Sequence, residues 1–261
     1  MSRITSRSAT GPLAVQANGT WQKSTDADLV TLVGSRWDTS DGRELILVSS
    51  ASNTSLAAGK LYQDQPIVGA HQNIAVTAYQ AYSNNGNTPA KVTVTLGAHA
   101  VVANFYRGGF LVVNDVDGEG QTLRIASHPA AAASASLAIT LEDGPITGRA
   151  LGTSSEVCLI PAHGADVVIH PTAPTNVATG VALTDTSAST YSFLTAKGIT
   201  SALSDASVPS AGVSISASTT TAGAITTFTT LGASGQAISA VIGTAAQAGV
   251  STEYRTVYLN L

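Results

Sequence analysis

The 261-residue chain is 44% apolar yet only 11% charged and 5% aromatic, so small apolar and hydroxyl residues carry most of it. A formal net charge of −4 excludes an overall basic field for wrapping nucleic acid, and the single cysteine, Cys158, excludes a disulfide framework and a cysteine-based zinc knot. No run approaches the ~20 unbroken apolar residues of a membrane helix, so no membrane partner is expected.

The first 35 residues read as an extended N-terminal arm. MSRITSRSATGPLAVQ lacks the apolar centre of a signal peptide. Gly11-Pro12 and Asn18-Gly19 stop a helix from running. Arg3 and Arg7 suit an acidic partner, and Pro12, Leu13 and Val15 form an adhesive apolar patch. With Trp21, these residues are the expected interface between subunits.

Beyond the arm, RELILVSS (from Arg43) reads as a strand, with another at Leu61 after the LAAGK turn. AHQNIAVTAYQ (70–80) alternates apolar and polar residues, the mark of a half-buried strand. SNNGNTPA is dense in turn formers. KVTVTL alternates strictly, so Val92, Val94 and Leu96 should share one face. GAHAVVANF reads as a short helix or an irregular edge. After Gly108-Gly109 come FLVVND, an acidic turn and QTLRIASH, with Asp117-Gly118 supplying the left-handed turn residues of a hairpin. SLAITL, EVCLIPA and DVVIH extend the series as a meander. Past PTAPTNVATG, a proline-marked connector, GVALTDTSASTYSFLTAKGITSAL suggests two strands around a polar turn. VSISAS, ITTFTT, AISAVIG and YRTVYLNL suggest four more, the last placing the C-terminus in a sheet. The expected fold is all-β, built of short-stranded barrel or sandwich modules.

The strongest catalytic pattern gathers Asp115, Asp117, Glu119 and His128 around one hairpin, as a metal or acid–base site would. D-x-D-x-E in a Gly-rich turn is also what a solvated hairpin looks like, and no twelve-residue calcium loop follows. His99, His163 and His170 are isolated, with no H-x-H or HExxH spacing; HGAD (163–166) pairs a His and an Asp by local chance. His71 and His128 read as strand caps or donors to backbone carbonyls. Cys158 lies in an apolar strand pattern and reads as a small buried residue. No G-x-S-x-G elbow, phosphate loop or dinucleotide fingerprint occurs, so no catalytic, cofactor or metal residue is assigned.

TSDGRELILVSSASNTSLAAGKLYQ and VTVTLGAHAVVANFYRGGFLVVNDVDGEGQTLRIASHPAA resemble the head decoration, or cement, proteins of tailed phages, over roughly residues 36–261. The features that carry the resemblance are AAGKL (57–61), TLGA (95–98), GGFLVVND (108–115), GEG-x-x-x-R-I (118–125), HPAA (128–131) and STTTAGAITT (218–227). The resemblance implies that LAAGKLYQ (56–63) and TGVALTD (179–185) are neighbours in one barrel. Residues 36–70 and 166–261 would then form that barrel, with 71–165 an inserted β-module; two consecutive sandwiches split near Pro171 are the alternative. It further implies a non-enzymatic virion protein on the outer surface of a phage head, a homotrimer clamping major capsid subunits without cofactor or nucleic acid. A tail or fibre protein binding host glycans through Trp21, Trp37, Tyr79 and Tyr82 is the competing expectation, and a metal-dependent hydrolase a third.

Overall fold

The computed structural model describes residues 4–6, 32–83, 88–145, 149–206, 209–228 and 240–261, the first three by backbone alone. The fold is all-β: no α-helix occurs among the described residues. The chain forms two compact units, one split in sequence (Met1–Pro66 with His163–Leu261) and one inserted (Ile67–Ala162).

The split unit begins with β1 (Ile4–Ser6), β2 (Arg36–Thr39), β3 (Glu44–Ser49) and β4 (Leu61–Gln63). β1 lies antiparallel on β2, so these three arm residues pair with their own chain. In β3 the run Leu45–Val48 is buried on both faces, as expected of a continuous apolar strand rather than an alternating one. Ile46 and Val48 join a core with Leu56, Tyr62 and Val167, while Leu45 and Leu47 pack with Trp37 and Phe193.

The inserted unit holds β5 (Ile74–Gln80), β6 (Lys91–Thr95), β7 (Phe110–Asp115), β8 (Thr122–Ser127), β9 (Ser136–Leu141) and β10 (Glu156–Ile160), preceded by a 3₁₀ turn, Gly69–His71. These six strands close into a barrel in the order β10-β5-β6-β9-β8-β7. Alternate residues point inward: Val92 and Val94, Leu111 and Val113, Leu123 and Ile125, Leu137 and Ile139, Val157 and Leu159 share one core. Burying one face of every strand is what strict alternation specifies. The connectivity is not the simple meander expected. β9 returns beside β6, and β10 closes the ring between β5 and β7. The reason is the stretch 96–109, which forms neither helix nor strand and carries the chain away from β6 before β7 begins.

The split unit resumes with β11 (Val168–Ile169), β12 (Ala178–Ala182), β13 (Tyr191–Leu203), β14 (Ser214–Ala217), β15 (Ile225–Thr227), β16 (Val241–Ala245) and β17 (Tyr254–Asn260). LAAGKLYQ and TGVALTD do lie side by side, through Leu61 opposite Val181. Among the described residues the unit is nevertheless an eleven-stranded sheet with no closed ring; the closed barrel is the inserted unit. Strand β13 is thirteen residues long. Its first half pairs with β3 and β12, its register shifts between Thr195 and Lys197, and its second half pairs with β17. The sheet therefore branches at this strand. Burial follows the same division: Ser192–Ala196 are buried throughout, whereas Lys197, Ile199 and Ser201 are exposed.

Candidate functional site

The acidic hairpin and His128 are not brought together. Asp115, the last residue of β7, and Asp117 and Glu119, in the turn before β8, are exposed, whereas His128 is buried. The Asp115 carboxylate accepts from the next amide, Val116 N–H, at 2.8 Å. The left-handed positions of this turn are Val116, Gly118 and Gly120, so Asp117 does not have the expected conformation. Among the described residues, no group of three or more His, Cys, Asp or Glu side chains is arranged to hold a metal ion.

His128 belongs instead to a buried cluster with His71 and Tyr106. Tyr106, on the irregular 96–109 stretch, is fully buried; its hydroxyl lies 2.6 Å from His71 Nδ1, and its amide donates to His128 Nε2 at 2.9 Å. His71 Nε2 lies 2.9 Å from the His99 carbonyl, and His128 Nδ1 lies 2.8 Å from the Pro129 carbonyl. Each ring therefore bonds a backbone carbonyl, as the sequence suggested, and both also fasten the crossover segment through Tyr106. The His99 carbonyl can only accept, so the His71 proton sits on Nε2, and in the neutral ring Nδ1 accepts from the Tyr106 hydroxyl; burial raises the Tyr106 pKa well above the usual tyrosine value.

The tautomer of His128 follows from its partners. Nε2 accepts from an amide and so carries no proton; Nδ1 donates to Pro129, and the ring is neutral. Burial pushes its pKa below the usual 6.5, the Pro129 carbonyl opposes this, and His71 adds to it. His170 in the split unit repeats the arrangement. It lies 4% exposed with Nδ1 2.9 Å from the Pro171 carbonyl, and burial lowers its pKa too. With folded values depressed, the unfolded chain takes up these protons first. The stability from both rings is complete above pH 6.5, the ordinary value, and is lost as pH falls from there towards the folded values. Urea melts at stepped pH should show this slope, shallower in His128→Gln and in His170→Gln. An unchanged slope in both variants would refute it.

His163 is not isolated, and its partner is not the Asp of HGAD. Its Nδ1 lies 2.7 Å from Oδ2 of Asp64, ninety-nine residues away. Oδ1 of Asp64 accepts from Gly164 N–H at 2.9 Å and from the Thr179 hydroxyl at 2.7 Å. Asp64 is buried and the His163 side chain is 37% exposed. Asp166 instead pairs with Ser49, whose hydroxyl accepts from the Asp166 amide at 2.8 Å and donates to its Oδ1 at 3.3 Å; burial raises the Asp166 pKa, and the bond to the carboxylate opposes this. No hydroxyl or thiol nucleophile contacts His163 among the described hydrogen bonds. Cys158 is half-buried rather than buried, because it lies on the outward-facing register of β10, where it accepts from Asn73 N–H at 3.3 Å.

The expected sugar-stacking set does not form one face. Trp37 is buried, packed edge-on against Phe193 with ring centroids 6.3 Å apart. Tyr79 packs against the barrel core, whereas Tyr82 is 48% exposed; both belong to the inserted unit. Trp21 lies outside the described residues, as do Arg3, Arg7, Pro12, Leu13 and Val15.

The aromatic surface is instead on β17, where Tyr254 and Tyr258 are 54% and 55% exposed. Four residues apart on one strand, they share a face. Tyr258 is flanked by Ile199 of β13 and Thr244 of β16, both exposed. Beside Tyr254 a cleft of ≈ 520 Å³ opens, lined by Ala58 and Gly59 of the AAGK turn and by Asp185 and Arg43, among others. The turn is fixed from below: the buried Tyr62 hydroxyl accepts from Ala57 N–H at 2.7 Å and donates to the Ser55 carbonyl at 3.2 Å. Sequence reasoning missed this cleft, although AAGKL and TGVALTD, which it singled out, supply much of the lining. The chain matches no family model, no curated protein and no solved structure.

Proposed function

We propose that this protein is a structural virion protein that decorates the outer surface of an icosahedral phage head and clamps adjacent major capsid subunits. The observation that carries the reading is the exposed face of the split unit, where Tyr254 and Tyr258 of β17 and Ile199 of β13 are all exposed, Ile199 directly opposite Tyr258. Interfaces are enriched in tyrosine and depleted in lysine and glutamate. Both units place their buried histidines in hydrogen bonds of the fold. The resemblance of AAGKL (57–61), GGFLVVND (108–115) and HPAA (128–131) to head decoration proteins is what suggests a capsid subunit as the partner. Each copy binds weakly; three copies in a homotrimer multiply that affinity on a lattice of matching symmetry.

Binding only the expanded shell would stabilise that state by mass action. The purified chain should scatter light as a trimer, sediment with expanded heads and raise the temperature at which they open. Tyr258→Asp, which places a charge on the face, should weaken co-sedimentation while leaving the fold intact. A strictly monomeric chain found only on the tail would overturn the reading in favour of a fibre protein.

A further inference from the structure

The geometry points to a saccharide-binding site in the cleft beside Tyr254, taking a neutral sugar unit; it shares Tyr254 with the proposed docking face but does not rest on the capsid reading. Its volume, ≈ 520 Å³, falls within the range of small-molecule sites. One wall is the Tyr254 ring, exposed yet held in place. A Cβ on Gly59 would come within 2.5 Å of two of its ring carbons, so only a glycine lets the ring lie on the turn. Gly59 has φ +74°, donates its amide to the Ala182 carbonyl at 2.8 Å and accepts from Leu203 N–H at 2.8 Å. The turn under the ring is thus fixed, and the ring lies against it with an apolar surface open to the cleft.

The polar lining complements that ring. Asp185 is exposed, and its Oδ1 accepts from Ala58 N–H at 2.8 Å, which orients the carboxylate towards ligand hydroxyls. Thr200 and Ser201 of β13 also line the cleft, Ser201 on the same face of the sheet as Tyr254 and Tyr258. A ligand with an apolar C–H face and several vicinal hydroxyls satisfies both halves of this lining, and a sugar ring is that ligand. The charge selects among sugars. Arg43 bridges Asp41, Nη2 to Oδ2 at 2.6 Å, and Asp41 is held ionised, its pKa lowered to about 2 chiefly by Arg43 and then by Thr39. With that pair neutral as a whole, Asp185 leaves the cleft negative, which disfavours acidic sugars.

Saturation-transfer NMR on the full chain tests this with methyl glycosides of glucose, galactose, mannose and N-acetylglucosamine, and with sialic acid as the anionic probe. At least one neutral glycoside should receive saturation, chiefly on one ring face, with an affinity on the order of 1 mM for so open a cleft. Tyr254→Ala should weaken it about fivefold or more, by removing the apolar surface the sugar covers. Tyr254→Phe should retain binding, which guards against misreading a folding defect. Asp185→Asn keeps an acceptor for Ala58 N–H and should still weaken binding. Tyr258→Ala, outside the cleft, should leave sugar binding unchanged. Absence of transfer to every neutral glycoside, persistence in Tyr254→Ala, or stronger transfer to sialic acid would each overturn the assignment. Head co-sedimentation is a separate readout, so failure of one reading is distinguishable from failure of the other.

Discussion

Replacing Asp64 with alanine should destabilise the split unit by about 3 kcal/mol or more, lowering its melting temperature by roughly 6–12 °C. Asp64 accepts three hydrogen bonds, and two of the donors, Gly164 N–H and the Thr179 hydroxyl, are themselves buried. Removing the carboxylate leaves those donors without an acceptor, and an unmade bond in the interior costs the full desolvation of the group. The third donor, His163, is exposed enough for water to take over. Position adds to the effect. Asp64 stands two residues before Pro66, where the first segment of the split unit ends, and His163 and Gly164 begin the second. One carboxylate therefore ties together the two passages of chain that bracket the insertion. Asp64→Asn retains an acceptor for Gly164 and Thr179 and should cost much less. Calorimetry on the three proteins decides: equal losses in Ala and Asn would show that charge, not hydrogen bonding, carries the contribution.

This pair also marks the limit of what sequence reasoning could reach. Strands written as alternating runs were legible residue by residue. Val92, Val94 and Leu96 share the barrel interior, and FLVVND, TLRIAS and SLAITL form strands with alternate residues inward. Alternation states which face is buried and is silent on which strand lies alongside. Hence β9 beside β6, and the branching of the sheet at β13, were not readable. The same holds for polar partners. Asp64 and His163 are distant in sequence, and the histidine had a closer, misleading aspartate in HGAD. His128 was drawn towards the acidic hairpin by proximity along the chain, whereas the fold carries it to Tyr106. Local spacing is evidence about turns and strands; the sites here are made by pairings across tens of residues.

The candidate cleft was legible only in pieces. AAGKL and TGVALTD were expected to be neighbours, and β4 and β12 do pair. Nothing in YRTVYLNL distinguished the inward Val257 and Leu259 from the outward tyrosines except the period of two, which leaves open which set is buried. The close fit of Gly59 to Tyr254 depends on two segments nearly two hundred residues apart. A motif can therefore be recognised before the reason for its glycine is known.

The glycine pair that opens GGFLVVND gives the second large expected effect, and its two members should differ sharply. Gly109→Ala should destabilise the barrel by more than about 3 kcal/mol, a fall of about 12 °C or more in a domain of this size. A Cβ there would sit 2.2 Å from the Ile160 carbonyl oxygen and 2.8 Å from Ala162 N, both backbone atoms that no rotamer change can move aside. The clash falls on the seam where β7 meets β10, beside the Phe110–Ile160 pair that helps close the ring. Gly109 also accepts from Ile125 N–H at 2.9 Å, so prying β7 from β10 strains its bond to β8 as well. Gly108 is a glycine for a different reason. Its φ is +75°, and an added Cβ would meet only the Ala162 methyl, at 3.6 Å. Gly108→Ala should therefore cost about 1–2 kcal/mol, the penalty of a left-handed residue with a side chain. Thermal melts of the two variants decide between close approach and backbone conformation as the constraint on this motif. If Gly108→Ala proves as damaging as Gly109→Ala, the seam is not the tight point, and closure of the barrel tolerates more there than its geometry implies.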